Sequence, residues 1–336
     1  MSSSRIPATM QAAVVREANS PFEFHDRPVP DVPRGHVLVR IGASGVNPLD
    51  TKIRAGVAAH AAHPLPAVLG MDMAGVVVQV GLGTTRFQVG DEVYGLVGGV
   101  GGLQGTLAEY ASVDANLLAR RPNRLSLRES AALPLVSITA WEGLVDRAHV
   151  GTGHKVLVHG GAGGVGHVAI QIARAFGAEV YATAKPSQFE VVRSFGATPI
   201  DFTSSAPADY VREHTGDEGF DVVYDTVGGP TLDASFVAVR RYTGHVVSAL
   251  GWGTHSLAPL SFRGASYSGV FTLLPMLSGR GRTHHGDILS QVAELVDAGR
   301  LRPLLDTQRF TLGQAGEAHA RVTSGQAVGR VVVDID

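Results

Sequence analysis

The sequence feature that most limits how this chain can fold is a glycine-rich loop between a predicted strand and a predicted helix. Residues 155–159 (KVLVH) form a short apolar run that is typical of a buried strand. The next segment, GGAGGVG, contains the pattern G-x-G-x-x-G over residues 161–166. Apolar residues then recur three and four positions apart from Val165 to Phe176, as in a helix with one buried face, and Gly177 ends the pattern. This order predicts the phosphate-binding turn of a dinucleotide-binding βαβ unit.

Each glycine of the loop has a physical role in such a turn. Gly161 permits the tight turn, Gly163 lets a pyrophosphate approach the backbone, and Gly166 lets the helix pack closely on the strand. The helix N-terminus adds free N–H groups and a positive dipole end. The alternative is a glycine-rich turn that binds nothing. We expect the whole loop to bind the cofactor: Gly161, Ala162, Gly163, Gly164, Val165 and Gly166.

Strands and helices alternate after this loop. Further strands are predicted over residues 178–183, 199–202, 220–225 and 244–250, with helices between them, which indicates a parallel, doubly wound sheet. Residues 10–123 consist instead of short β-branched runs broken by Gly and Pro, as in an all-β domain. Past Ser261 we expect a mobile loop in SGRGRTHHGD, a helix over 288–298 with Asp287 as its N-cap, and strand-like runs in RFTL, AGEAHARV and GRVVVDI.

Composition removes several classes of chemistry. The chain has no cysteine among its 336 residues, so disulfides, cysteine nucleophiles and cysteine-ligated metals are excluded. With 28 Lys and Arg against 30 Asp and Glu, its net charge of −2 predicts no general attraction to nucleic acid or to anionic membranes. Neither a signal-peptide core nor the run of about 18 apolar residues of a membrane span is evident. We expect a cytoplasmic protein whose partners are small molecules.

The end of the second strand of the alternating region indicates which dinucleotide binds. A site that selects NAD has an Asp or Glu there, which takes the ribose hydroxyls. Here the segment is YATAKPS and contains no carboxylate. Lys185 can pair with a 2′-phosphate, and Thr183 or Ser187 can donate to it, so we expect NADP(H). The alternative is that Lys185 is an ordinary solvated lysine.

Several segments, in order, resemble the medium-chain dehydrogenase/reductase superfamily from Met10 to Val333. They are GASGVNPLDTKIRAG, LGMDMAGVVVQVG, VGDEVYG, LPLVSITAWEGL, HGGAGGVGHVAIQIARAFGAEV, FDVVYDTVGG and GRVVV. The resemblance implies a GroES-like β domain that holds the substrate, a Rossmann domain, nicotinamide in the cleft between them, and a homodimer through the nucleotide domains. The predicted fold is therefore α/β, with a discontinuous GroES-like catalytic domain over residues 1–124 and 275–336 and a Rossmann NADP(H)-binding domain over 125–274.

The residues that hold catalytic zinc in the alcohol dehydrogenases of that superfamily are missing. Those enzymes carry a Cys in the first segment and a His-Glu pair in the second, and the matching positions here are Asn47 and Met71-Asp72. An amide and a thioether do not replace thiolate and imidazole as zinc ligands. Neither His60/His63 nor His284-His285 has the spacing of a zinc site. GVNPLDTKIRAG is similar instead to GVN-x-x-D-T-Y-I-R-x-G of the zinc-free, ζ-crystallin-like quinone oxidoreductases, so we expect no metal.

The expected reaction follows from that absence of metal ligands. Oxidising a simple alcohol requires an alkoxide, which a metal or a placed base normally provides. A quinone or a carbonyl-conjugated double bond accepts hydride from NADPH without a metal, provided that donors stabilise the developing oxyanion. We therefore expect an NADPH-dependent quinone oxidoreductase or enone reductase.

Two alternatives stay open. One is an enoyl-thioester reductase, in which Arg280, Arg282 and His284-His285 would form a basic mouth for coenzyme A. The other is a low-turnover NADPH-binding protein with a structural or RNA-associated role.

The resemblance assigns three candidate catalytic residues. Asn47 places an amide beside the nicotinamide, unless it is only a turn residue before Pro48. Lys52 stands where the family often has tyrosine, and it either stabilises an enolate or lies on the surface. Thr139 matches a threonine that reaches the cofactor, or else it bonds to its own helix. Asp50 and Asp72 are expected to be structural acceptors. Further cofactor contacts are expected at the carboxyl ends of the later strands: Asp225, Val227, Gly228, Leu250, Gly251, Phe271 and Leu273.

Overall fold

The computed structural model describes residues 6–335 and divides them into two compact units. The first unit contains residues 6–135, 273–298 and 303–335, and the second contains residues 136–272 and 299–302. The first division falls after residue 135, later than the predicted boundary at 124. The reason is that the helix over Leu127–Ala131 packs against strands of the first unit.

The strands and helices are as follows. The strands are β1 (Thr9–Val15), β2 (Glu23–Pro28), β3 (His36–Val46), β4 (Ala67–Val68), β5 (Asp72–Val80), β6 (Glu92–Leu96), β7 (Tyr110–Asp114), β8 (Leu118–Arg120), β9 (Lys155–His159), β10 (Glu179–Ala184), β11 (Thr198–Asp201), β12 (Val222–Asp225), β13 (His245–Ser248), β14 (Ser266–Gly269), β15 (Phe310–Thr311) and β16 (Val331–Asp334). The α-helices are α1 (Pro48–Arg54), α2 (Leu127–Ala131), α3 (Pro134–Trp141), α4 (Gly164–Ala175), α5 (Phe189–Ser194), α6 (Pro207–Thr215), α7 (Pro230–Ala238), α8 (Ala258–Arg263), α9 (Leu274–Ser278), α10 (Arg282–Asp297) and α11 (Ala315–Thr323). A π-helix over Glu142–Arg147 continues α3.

The first unit is built on two β-sheets. A three-stranded sheet has the order β2-β1-β4, and a larger sheet has the order β15-β16-β3-β5-β6-β8, with β7 paired to β3. Strand β3 is the longest, with 11 residues, and pairs with β5, β7 and β16. Its last residues and the first residues of β5 are neighbours in the sheet, with Gly45 opposite Asp72. This register brings the two zinc-related segments of the sequence together.

The second unit is built on one parallel sheet of six strands. Its order is β11-β10-β9-β12-β13-β14, with every neighbouring pair parallel. The central strand β9 has three consecutive, fully buried apolar residues, Val156, Leu157 and Val158, because both of its faces are covered. The predicted fold class, a GroES-like β-rich domain plus a doubly wound parallel sheet, is confirmed.

Two predictions in the C-terminal part are wrong. SGRGRTHHGD is not a mobile loop, because α10 begins at Arg282 rather than after Asp287, with Gly281 as its N-cap at φ +85°. Arg282 holds this turn by donating to Asp114 at 3.1 Å, and His285 is buried. AGEAHARV is not strand-like but forms α11, whose buried residues Ala315, Ala318 and His319 follow the three-to-four spacing of a helix.

None of the helices between residues 6 and 335 combines the length and apolarity that crossing a membrane requires.

Candidate active site

One candidate site, in the first unit, is a buried polar cluster at the end of β3. Asn47 follows β3 directly and is the N-cap of α1, where Pro48 suits the first helical position. The carboxylate of Asp50 accepts a hydrogen bond from the Asn47 backbone N–H at 2.7 Å. The turn that was the structural alternative for Asn47 is therefore present, and it leaves the side-chain amide of Asn47 to other partners.

The Asn47 amide bonds to an aspartate and an arginine. Its Nδ2 donates to Oδ2 of Asp72 at 3.0 Å, and its Oδ1 accepts from Nη2 of Arg330 at 2.7 Å. Arg330 Nη2 also lies 3.2 Å from Asp72 Oδ2. All three side chains are buried, with 1% exposure for Asn47 and 4% for Arg330. We call Asn47, Asp50, Asp72 and Arg330 the buried network.

Helix α2 completes the surroundings of the buried network. Its following residue, Ala132, accepts a hydrogen bond from Arg330 Nε at 3.0 Å, and the Leu135 N–H donates to Asp72 Oδ1 at 2.9 Å. The helix reaches this position because β3 has glycine at residue 45, where an added Cβ would lie 2.3 Å from the Ala131 carbonyl oxygen. The glycine of GASGVN is therefore a close-approach residue.

Burial and one guanidinium set the charges of the two carboxyl groups. Burial raises the pKa of Asp50 to about 7 and the pKa of Asp72 to about 6, while Arg330 acts in the opposite direction on both. Burial also lowers the pKa of Arg330, and the two carboxylates raise it. Oδ1 of Asp50 has no hydrogen-bond partner among residues 6–335, which is an expensive position for a charged oxygen.

Lys52 and Thr139 are the other two candidate catalytic residues. Lys52 is exposed on α1, two positions after buried Asp50, and residues two apart on a helix do not face each other. Thr139 is buried in α3 of the second unit, where its Oγ1 is 2.8 Å from Oγ1 of Thr272 and its carbonyl accepts from the Tyr224 hydroxyl. The catalytic roles of Lys52 and Thr139 stay predictions from the sequence.

A second candidate site, in the second unit, is the glycine loop between β9 and α4. A Cβ at Gly161 would lie 2.5 Å from the Ala182 Cβ, and a Cβ at Gly166 would lie 2.1 Å from the Gly160 carbonyl oxygen. A Cβ at Gly163, the N-cap of α4, would meet only the Gly160 oxygen, at 3.1 Å. The first two glycines therefore serve packing inside the protein. Gly163 keeps an open cradle at a helix N-terminus, which fits a pyrophosphate.

The three residues proposed for the 2′-phosphate differ in accessibility. Thr183 at the end of β10 is buried, and its hydroxyl accepts from the Gly160 N–H at 3.1 Å and lies 3.3 Å from Nδ1 of His159. Thr183 therefore holds the glycine loop. Lys185 and Ser187 are exposed just beyond it. A cation and a hydroxyl are thus available to a phosphate at this edge of the sheet.

The remaining predicted cofactor contacts lie at the ends of β12, β13 and β14 or in the loops that follow them. Asp225 is buried at the end of β12. Its carboxylate accepts hydrogen bonds from the N–H groups of Val227 and Gly228 and from the Ser248 hydroxyl, so it holds the turn that follows the strand. Gly228 has φ +78°, and a Cβ there would lie 2.5 Å from the Leu250 carbonyl oxygen. Half of the Val227 side chain is exposed. Four more predicted residues lie in the loops after β13 and β14: Leu250, Gly251, Phe271 and Leu273.

Sequence reasoning missed two buried ionisable residues in the site. Arg330 lies between Gly329 and the apolar run VVV, and a lone arginine against a buried strand was the available signal. His159 ends β9, and burial lowers its pKa to about 4 while the Asp225 charge raises it. Its Nε2 has no partner among the described residues.

Two of the four residues proposed for the basic mouth of an enoyl-thioester reductase have other structural roles. The Arg282 guanidinium donates hydrogen bonds to the Asp114 carboxylate and to the carbonyl oxygens of Pro275 and Met276. His285 is buried in α10. Of that group only Arg280 and His284 are exposed.

The class that the fold and the glycine loop define is that of two-unit nicotinamide oxidoreductases. Comparisons with known proteins agree. Residues 33–123 match the model of the alcohol dehydrogenase GroES-like domain, and residues 195–333 match that of the zinc-binding dehydrogenases. The chain belongs to the medium-chain dehydrogenase/reductase superfamily, in the branch of the ζ-crystallin-like quinone oxidoreductases, and is an oxidoreductase.

Individual relatives are similar over nearly the whole chain. The 2-methylene-furan-3-one reductase of Solanum lycopersicum is 36% identical over 91% of this chain and 73% of its own length. The chloroplastic NADPH-dependent alkenal/one oxidoreductase of Arabidopsis thaliana is 35% identical with the same coverage. A crystal structure of an alcohol dehydrogenase superfamily protein from Novosphingobium aromaticivorans has a TM-score of 0.96 and 57% identity, and covers 98% of this chain and 100% of its own.

Zinc, which the matching family description names, does not fit the residues present here. Asn47 and Met71 offer an amide and a thioether where the zinc enzymes have thiolate and imidazole. The carboxylate of Asp72 is already bonded to a buried guanidinium. Within residues 6–335, no three His, Asp or Glu residues are grouped as a metal site requires.

Proposed function

We propose that this protein is an NADPH-dependent reductase of carbonyl-conjugated double bonds and quinones that works without a metal. The observation that carries the proposal is the buried network, because Arg330 bonds to both Asn47 and Asp72, the residues at the zinc-related positions. Such a site offers no Lewis acid to activate an alcohol. The acceptor must then be electrophilic by itself, as an enone or a quinone is.

The named activities of the relatives point to the same class of acceptor. One is called a 2-methylene-furan-3-one reductase and another an alkenal/one oxidoreductase. A bound dihydronicotinamide would supply the hydride. In an enone, the carbon β to the carbonyl gains this hydride, negative charge develops on the carbonyl oxygen, and the α carbon finally takes a proton from solvent. A hydrogen-bond donor near that oxygen lowers the barrier.

The chain's own residues would divide the remaining work. The glycine loop would bind the pyrophosphate, and exposed Lys185 would pair with a 2′-phosphate, which favours NADPH over NADH. The relative from Arabidopsis is named NADPH-dependent, which supports this choice. Asn47 would offer an amide N–H to the acceptor oxygen. Asp72 takes one N–H of this amide, and a hydrogen bond from the Asn47 side chain also lowers the pKa of Asp50.

The experiment compares acceptors under one set of conditions. Oxidation of NADPH and NADH is followed with a cyclic enone, 1,4-benzoquinone and an enoyl-CoA, and reduction of NADP⁺ with a primary alcohol. We expect turnover with the enone and the quinone, and faster turnover with NADPH. Alcohol oxidation as the main activity would contradict the proposal, and a preference for enoyl-CoA would replace it with the thioester alternative.

The role of Asn47 has its own test. Asn47→Ala should lower kcat for enone reduction by about tenfold or more, as loss of one oxyanion donor does, and leave the NADPH affinity within about twofold. Asn123→Ala, at an exposed asparagine of the same unit, is the control. A variant that lost NADPH affinity but kept kcat would assign Asn47 to the scaffold.

We also propose a homodimer that forms through the open side of β14. This strand ends the six-stranded sheet and is largely exposed. Two exposed aromatic side chains lie near it: Phe262, four residues before the strand, and Tyr242, whose N–H donates to the Arg263 carbonyl oxygen at 2.7 Å. An uncovered strand edge with apolar neighbours favours pairing with a second copy. The cytoplasmic location stays a prediction from the sequence.

A further inference from the structure

The polarity of the hydrogen bonds in the buried network allows only one orientation of the Asn47 amide. A guanidinium has donors and no acceptor, so the atom that faces Arg330 Nη2 at 2.7 Å must be the carbonyl Oδ1. An ionised carboxylate has acceptors only, so the atom that faces Asp72 Oδ2 at 3.0 Å must be Nδ2. A flipped amide would set donor against donor and acceptor against acceptor.

Arg330 is itself held at several points. Its Nε donates to the Ala132 carbonyl at 3.0 Å, its backbone N–H donates to Leu304 at 2.7 Å, and its carbonyl accepts from Asp306 at 2.9 Å. The preceding Gly329 has φ +94°, and a Cβ there would lie 2.5 Å from the Leu304 carbonyl oxygen. Hydrogen bonds therefore hold both the backbone and the guanidinium of Arg330, as is expected of a residue that orients another side chain.

From this geometry we infer that Arg330 is a positioning residue, which fixes the orientation of the Asn47 amide that the proposed function assigns to the acceptor oxygen. The inference rests on the proposed function for the acceptor and goes beyond it by naming the residue that sets the direction of the donor. Arg330 acts through Asn47 and Asp72 and does not touch the acceptor. A lysine would keep the charge but lose the fork of donors that bonds Asn47 and Ala132 at once.

The charges of the buried network provide a readout that a purely structural residue would not change. The titratable and charged groups that face Asp72 are Arg330 and Asp50. Arg330 holds the pKa of Asp72 down, against the stronger effect of burial, at about 6. Below that pH, Asp72 is protonated and no longer attracts the guanidinium or Asn47 Nδ2 by charge, so the Asn47 amide is held less firmly. Removing the guanidinium charge must raise the pKa of Asp72 and shift the acid limb of the pH–rate profile to higher pH.

The test uses Arg330→Gln and Arg330→Lys in the full chain. Titration of Asp72 is followed by NMR of aspartate labelled with ¹³C at the carboxyl carbon, with Asp72→Asn and Asp50→Asn to assign the signals. The pH profile of kcat for enone reduction and the KM for NADPH are measured in parallel. Arg282→Gln, which removes a partly buried ion pair of the same unit, is the matched control.

We expect Arg330→Gln to lower kcat by about tenfold or more with little change in KM for NADPH, and to move the Asp72 midpoint up by about one pH unit or more. Arg330→Lys should return the midpoint toward the wild-type value and recover only part of kcat. An unchanged midpoint, or a kcat within about twofold of wild type in Arg330→Gln, would overturn the inference.

Two further outcomes are a variant that does not fold and a wild type that reduces no conjugated acceptor. If Arg330→Gln does not fold, Asp72→Asn should still lower kcat at unchanged KM for NADPH, because a neutral amide at residue 72 holds Asn47 Nδ2 and the guanidinium less firmly than the carboxylate does; unchanged kcat there would overturn the inference. If the wild type reduces no conjugated acceptor, the proposed function fails. The NMR titration then decides by itself whether Arg330 controls Asp72.

Discussion

Three ionisable side chains of the buried network, Asp50, Asp72 and Arg330, are costly to bury. Asp50 and Asp72 share a single buried cation, Arg330, and one oxygen of Asp50 has no partner among residues 6–335. A carboxyl group in such surroundings prefers to be neutral. Two carboxyl groups with raised pKa values beside one guanidinium therefore tend to hold a proton between them near neutral pH.

Asp50 should make stability depend on pH in a specific direction. Its pKa is about 7 in the folded protein and near 3.8 when unfolded, so the folded state binds more protons between these values. The stabilising contribution is present at low pH and is lost as the pH rises toward 7, at about 1.4 kcal/mol per pH unit. Asp50→Asn keeps an acceptor for the Asn47 N–H and should remove this slope.

Unfolding free energies measured in urea between pH 4.5 and 7.5 check this expectation. The variant should gain on the wild type as the pH rises. Asp31→Asn, at an exposed position, serves as the control and should show no such trend. A difference between wild type and Asp50→Asn that does not vary with pH would contradict the burial argument.

Lys185 should decide the choice between the two dinucleotides. Its side chain is exposed at the end of β10, where a 2′-phosphate would lie. Lys185→Ala should raise KM for NADPH by about tenfold, the effect of losing about 1.4 kcal/mol, and leave KM for NADH nearly unchanged. Arg193→Ala, which removes an exposed cation already paired with Glu190, is the control. Equal losses for both dinucleotides would assign Lys185 to another role.

At the scale of elements, strong periodicity made part of the fold predictable. KVLVH, the glycine loop and the following helix lie where the pattern placed them, because a buried strand and an amphipathic helix have distinct spacings. Strand β14 was missed because SYSG is short, polar and largely exposed, so it carries no apolar signal. The start of α10 was misplaced because Gly281, not a polar side chain, is its N-cap.

The candidate site was predictable only in part for a related reason. A loop motif is local in sequence, so the glycine cradle could be found from the sequence. Arg330 and Asn47 are 283 residues apart and meet only through the pairing of β3 with β16. Likewise, the Thr183 hydroxyl accepts from the glycine loop because of the position that Thr183 has in β10. The periodicity of helices and strands along the sequence does not predict such contacts.

Two glycines of the loop between β9 and α4 should separate folding from cofactor binding. Gly166→Ala would force a Cβ to 2.1 Å from the Gly160 oxygen and should lower the melting temperature by several degrees. Gly163→Ala meets the same oxygen only at 3.1 Å. It should keep the melting temperature within about two degrees, yet weaken NADPH binding by about tenfold or more, because the methyl group enters the cradle.

Calorimetric titration with NADPH and thermal unfolding distinguish the two variants. If Gly163→Ala binds NADPH as the wild type does, the pyrophosphate does not lie against that residue.

At the scale of the whole molecule, the proposed dimer can be tested at the edge strand. Ser266 and Val270 donate their N–H groups to the β13 side, so the N–H of Gly269 points to the open edge. Gly269→Pro removes that donor and should shift the protein from dimer to monomer without lowering the melting temperature by more than a few degrees. Light scattering after size-exclusion chromatography measures the mass. A monomeric wild type, or a variant that stays fully dimeric, would contradict this assignment.

In the proposed function, hydride passes from NADPH to an activated acceptor without help from a metal. The most direct test of this step uses chelator-treated protein, shown by elemental analysis to contain no metal, with NADPH deuterated at the transferable position and a cyclic enone. Mass spectrometry should find one deuterium on the β carbon of the saturated ketone, at a rate equal to that of untreated protein. A product without deuterium, or turnover that stops on chelation and returns with added zinc, would contradict the account.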